Sequence, residues 1–201
     1  MVAVEKRVWT PEEYLAYERA SQERHELING EIRLMAGAGV NHVRIVRNII
    51  RQLDTQLDES PCEILNNDMR TKIKLKNSYT YPDLVAICGE PDLEDGEFDT
   101  LLNPILIVEV LSPATEAYDR GEKFQHYRTI DTLQEYLMVA QDRIAVELYR
   151  RQADGTWLLS EANTLNSSLM LTSIGCTLAL ANIYKRVSFE QSRTPQAGTP
   201  E

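Results

Sequence analysis

The stretch Asn103-Pro104-Ile105-Leu106-Ile107-Val108-Glu109-Val110-Leu111-Ser112-Pro113 decides how the rest of the chain is read. A run of aliphatic residues between two prolines describes a strand covered on both faces, because a half-exposed strand alternates polar with apolar side chains. Glu109 lies inside that run. A carboxylate there is costly unless it is protonated, paired or bound to a metal, so the remainder of the chain must supply a partner.

Working outward, Tyr79-Thr80-Tyr81-Pro82-Asp83-Leu84-Val85-Ala86-Ile87-Cys88 is a second apolar strand, entered through a proline with a carboxylate directly after it. Paired strands lie about 4.8 Å apart. Asp83 and Glu109 on one face of neighbouring strands could therefore share a divalent cation, with magnesium or manganese the natural occupant. The acidic stretch between them holds Glu90, Asp92, Glu94, Asp95, Glu97 and Asp99 without a base. Its spacing does not match a calcium loop, and it reads as solvated loop. Beyond Pro113 a helix is expected over 115–128, with Asp119, Lys123 and Tyr127 at i, i+4 and i+8 on one side. Strands follow at 134–139, 144–149, 157–159 and 177–180, the second and third of these joined by a turn at Asp154-Gly155.

Toward the amino terminus, Thr10-Pro11-Glu12-Glu13 opens a helix with an N-cap, a first-position proline and acids in the first turn. Asn29-Gly30 joins two strand-like segments into a hairpin over 25–35. From 41 to 58, Ile45, Val46, Ile49, Ile50, Leu53 and Leu57 keep helical spacing. His42 falls beside that apolar face, as a helix-start or satisfied core histidine or as a polar site residue. Arg44, Arg47 and Arg51 form a second, solvated stripe. A short strand is expected at 62–66. Residues 69–76 alternate, with Thr71, Ile73 and Leu75 facing in and Arg70, Lys72, Lys74 and Lys76 facing out. An outer strand guarded by lysines fits this pattern better than a phosphate-facing strip.

The 201 residues suit one domain, taken as 10–190, with a short extension at 1–9 and a flexible tail at 191–201. No stretch approaches the roughly 18 apolar residues of a membrane span, and a cytoplasmic location is expected. The 31 acidic against 21 basic residues give a net charge of −10, which counts against indiscriminate nucleic-acid binding. Cys62, Cys88 and Cys176 form no C-x-x-C pair and read as reduced core residues. Ser112 lacks the G-x-S-x-G context of a serine hydrolase.

The order and joint spacing of several short motifs carry a family resemblance. Tyr81-Pro82-Asp83, then Ile107-Val108-Glu109-Val110-Leu111-Ser112-Pro113, then Asp119-x-x-x-Lys123-x-x-x-Tyr127 and Gln134-Glu135-Tyr136 resemble the Uma-type restriction-endonuclease-like family of the PD-(D/E)XK phosphodiesterase superfamily. Glu26-Leu27-Ile28-Asn29-Gly30-Glu31-Ile32, Met35-Ala36-Gly37-Ala38, His42 and Asn67-Asp68-Met69-Arg70 extend the likeness over about residues 10–187. The resemblance implies an α/β (α+β) fold: a restriction endonuclease-like core with a mixed central sheet flanked by helices, plus an N-terminal helix and β-hairpin. It also implies Asp83 and Glu109 as ligands of Mg²⁺ or Mn²⁺, and hydrolysis of a phosphodiester by metal-activated water.

The lysine usual two residues after the glutamate is absent, since Leu111 stands there. Lys123 could reach the same site from the following helix and neutralise phosphate charge, or could simply pair with Asp119. Glu31 or Glu26 would supply a third carboxylate, and His42 would line the site. Leu137 and Ala140 depart from residues common in the family, away from the supposed metal.

The leading function is therefore a Mg²⁺-dependent DNA endonuclease, with DNA favoured over RNA, acting as a homodimer whose two copies juxtapose the basic strips. The alternatives are a catalytically inactive nuclease-fold nucleic-acid-binding or regulatory protein, and a structural protein in which Asp83 and Glu109 only pair with bases.

Overall fold

The computed structural model describes residues 7–74 and 77–189; the expected tail at 191–201, most of the 1–9 extension, Leu75 and Lys76 lie outside them. Thr10 closes a capping box with Glu13 at the start of α1 (Pro11–Ala20). Asn29 and Gly30, both at positive φ, turn β1 (His25–Ile28) into β2 (Glu31–Leu34). A Cβ at Gly30 would come within 2.6 Å of Val8 Cγ1, so close approach as well as φ requires glycine there. Helix α2 (Val40–Leu57) buries Ile45, Ile49, Leu53 and Leu57 at the expected spacing.

Four short strands follow: β3 (Cys62–Asn66), β4 (Arg70–Ile73), β5 (Ser78–Thr80) and β6 (Leu84–Cys88). The continuous strand expected over 79–88 is thus two strands in two sheets. Pro82 has no N–H to offer a ladder, so pairing ends at Thr80 and the chain crosses over before Leu84. After β7 (Thr100–Leu101) comes β8 (Leu106–Leu111), buried at every position as its composition demands.

The helix expected at 115–128 is built in three pieces, α3 (Glu116–Tyr118), a π-helical turn (Asp119–Lys123) and α4 (Phe124–Tyr127). Strands β9 (Glu135–Ala140), β10 (Val146–Arg151), β11 (Trp157–Ala162), β12 (Ser168–Leu171) and β13 (Cys176–Ala179) precede a terminal turn, α5 (Leu180–Ile183).

The strands form a six-stranded mixed sheet, β11-β10-β9-β8-β6-β3, in which only β8 and β9 run parallel. On one face pack α2, α5 and the β12–β13 hairpin around Ile49, Val108, Val110 and Leu178. On the other, Phe124 and Tyr127 pack against Ile107, Leu111 and Tyr136. A second sheet, β2-β1-β5-β4-β7, carries the N-terminal hairpin. The fold is the mixed α+β arrangement expected.

Two further expectations fail. Strand β4 is not an outer strand guarded by lysines, because β5 and β7 pair with its two sides. Arg70, expected outside, is 2% exposed and bonded to Asp99, Thr100 and Tyr81, while Lys72 pairs with Glu94. The acidic stretch folds back onto these bases, a pairing across about 20 to 30 residues that strand alternation does not register. Cys62 and Cys88 are also not reduced core thiols: they face each other in the β3–β6 register and form a disulfide. Separated by 26 residues, they show no motif in the sequence; only strand pairing brings them together.

Candidate active site

Strand register places the two carboxylates. Leu84 pairs with Val108 and Val85 with Ile107, so one step further along the antiparallel ladder Asp83 reaches Glu109 on the same face. Both line a cavity of about 570 Å³ roofed by the β1–β2 hairpin and the loop that follows it. One Asp83 oxygen, Oδ2, accepts the Val110 backbone N–H at 2.6 Å; the other, Oδ1, lies 2.9 Å from His42 Nε2. His42 comes from the first turn of α2.

Lys123, delivered by the π-helical turn, is buried with its Nζ 2.9 Å from Glu109 Oε1, 3.4 Å from Glu26 Oε1 and 3.6 Å from Asp119 Oδ1. Glu109 Oε1 also accepts from the Tyr127 hydroxyl at 2.9 Å. Three carboxylates thus surround one ammonium. Burial, with Asp83 and Asp119 adding to it and Lys123 opposing, pushes the Glu109 carboxyl up to about 8. Burial likewise raises Asp119. Burial works against the Lys123 ammonium, but the surrounding Glu109, Glu26 and Asp119 outweigh it and hold the proton on.

Such surplus negative charge at buried acids is what a cation relieves. Among the described residues no group of three or more His, Cys, Asp or Glu is placed to hold a metal alone. Asp83 and Glu109 offer two hard oxygen donors, a set that suits an ion keeping water and substrate oxygens in its shell, as magnesium and manganese do, better than zinc.

A family model described as "Uma2: Putative restriction endonuclease" matches residues 11–181. The chain belongs to the Uma2 family. It is 39% identical to "Uncharacterized protein slr1290" of Synechocystis sp., over 90% of this chain and 93% of that protein. A second protein of that organism, "Uncharacterized protein sll1609", is 40% identical over 84% of this chain and 96% of its own length. Among solved structures, that of "a putative nuclease belonging to DUF820" from Anabaena variabilis resembles it with a TM-score of 0.71. That likeness covers 87% of this chain and 97% of the other at 15% identity, and is one of fold.

In this Uma2 chain the cavity brings together Asp83, Glu109, Lys123 and His42, four of the residues singled out from the sequence. Lys123 makes both contacts weighed for it, the ion pair with Asp119 and the approach to Glu109. Of the two candidates for a third carboxylate, Glu26 lines the cavity and Glu31 does not. Glu31 pairs with Ile28 beside the turn, two positions along β2 from Arg33, the partner of Glu26. Arg33 and Tyr118 were missed by sequence reasoning although they line the same cavity. Counting back from the Asn29-Gly30 turn would have set Arg33 opposite Glu26, so the signal for it was present; for Tyr118 there was none.

Proposed function

We propose that this Uma2 protein is a Mg²⁺-dependent (or Mn²⁺-dependent) endonuclease that hydrolyses DNA phosphodiester bonds. The observation that carries the proposal is Lys123 at 2.9 Å from Glu109, in a cavity shared with Asp83. A cation absent from the strand, where Leu111 stands, is restored from the next helix.

A divalent ion held by Asp83 and Glu109 would supply Lewis-acid charge and a water of lowered pKa. The protein's own residues do the rest. The Val110 N–H and His42 fix the two oxygens of Asp83, so its carboxylate is oriented before any ligand arrives. The buried Lys123 ammonium faces the charge that builds on a phosphoryl group, in surroundings where one such donor is worth about 10²–10³ in rate.

The working state is taken as a cytoplasmic homodimer, in which the exposed Arg47 and Arg51 of two copies combine into a basic surface on a protein of charge −10.

The test is a Mg²⁺ and Mn²⁺ titration by calorimetry of the wild type beside D83N and E109Q, followed by cleavage of DNA substrates. Binding by the wild type, abolished in both variants together with cleavage, is the expected result. Undiminished cleavage by D83N sinks the proposal. Tight, salt-sensitive DNA binding without metal and without cleavage would instead make the chain a binding module of the same fold.

A further inference from the structure

The cavity over Glu109 is lined by four basic side chains, Arg24, Arg33, His42 and Lys123. Three face carboxylates: Lys123 meets Glu109, Glu26 and Asp119, His42 meets Asp83, and Arg24 pairs with Asp68. Arg33 has no ion pair among the described residues. Its guanidinium lies instead over the Tyr118 ring, 5.1 Å from the centroid. The Tyr118 hydroxyl is itself out of contact with water and makes no hydrogen bond among the described residues.

A buried donor without an acceptor is unfavourable, and each one in a native fold asks for an explanation, a bound ligand being one. Here an unsatisfied O–H and an unpaired cation stand side by side on the wall of one cavity. An arginine fork presents several N–H groups in a plane, which matches two phosphate oxygens at once, and the phenol adds a further donor. We propose that Arg33 and Tyr118 form a phosphate clamp, binding non-bridging oxygens of the substrate phosphodiester and holding it against Lys123 and Glu109.

For its substrate class this rests on the nuclease proposal above. Tyr118 ends α3 directly before the turn that carries Lys123, so one short helix would position both groups. Burial raises the phenol further above its ordinary range, so it stays protonated and donating. Neither residue is a carboxylate, and the hydrogen bonds and ion pairs of Asp83 and Glu109 go to other groups, so the clamp is separable from the proposed metal ligands.

The experiment is fluorescence anisotropy of a labelled DNA duplex, with an RNA duplex of the same sequence in parallel, in calcium buffer. The full chain is compared with R33A, R33K and Y118F, and Mg²⁺ affinity and melting temperature are measured on the same samples. R33A should weaken duplex binding about 10-fold and lower the slope of log affinity against log salt by about one. R33K should recover the slope but not the affinity, since a lysine keeps the charge and loses the fork. Y118F should weaken binding about 3-fold. Metal affinity and melting temperature should be those of the wild type.

If R33A and Y118F bind as the wild type does while the wild type cleaves, the clamp falls and the nuclease proposal stands. If they lose binding but the wild type cleaves nothing, the clamp stands and the nuclease proposal falls. A wild type that binds neither duplex overturns both.

Discussion

At Lys123 one ammonium serves three carboxylates, Glu109, Glu26 and Asp119, in a place almost closed to water. Removing it would leave those acids facing one another without compensation. K123M should therefore lower the unfolding free energy by about 3–5 kcal/mol, read from urea unfolding at neutral pH. A loss below about 1 kcal/mol would show that the lysine is not the buried hub its distances describe. Glu109 was legible in the sequence because a charge inside an apolar run needs a partner, and Asp83 because it opens the neighbouring strand. Lys123 was half legible: spacing to Asp119 on a helix gave one contact, but its approach to Glu109 needed the helix to be laid against β8. His42 was ambiguous for the same reason, since the first turn of an amphipathic helix says nothing about what stands opposite it.

Secondary structure elements set those approaches. A π-helical turn admits one residue more than an α-turn, and such turns concentrate at functional sites. Here it presents Asp119 and Lys123 together to the cavity, with Gly121 between them. The split of 79–88 at Pro82 is the second such device, ending one strand and freeing the next residue, Asp83, to turn toward the site before β6 begins.

Strand β6 is further tied to β3 by the Cys62–Cys88 disulfide, which closes a loop of intermediate length and should contribute about 3 kcal/mol. Purified under oxidising conditions and then denatured, the protein should take up an alkylating reagent at Cys176 only; after reduction all three cysteines should react and the melting temperature should fall. Alkylation at all three without reductant would rule the bond out.

Across the whole molecule, the excess of acid is partly consumed inside the fold. Arg19 of α1 binds Asp95 and Asp99 of the acidic stretch, and the buried Arg70 of β4 binds Asp99 from the other side. Arg19 first, and then Arg70, hold the Asp99 carboxyl well below the usual carboxylate range. The unfolded chain therefore takes up that proton before the folded one does, so the stabilisation is present above about pH 4 and is lost as the pH falls below it. Thermal melts through the acid range should show the wild type losing more stability than D99N; parallel curves would mean that the clasp contributes nothing.

The sequence by itself determined most of the elements and singled out the two acids that share the cavity: period, caps, the Asn-Gly turn and a carboxylate in a buried strand are local signals, set by each residue and its near neighbours. Which sheet each strand joins, the Cys62–Cys88 bond, the burial of Arg70, the approach of Glu26 to Lys123 and the meeting of Arg33 with Tyr118 were decided only by tertiary structure. Each depends on groups distant in sequence, whose meeting is fixed by strand register and by which faces must be covered.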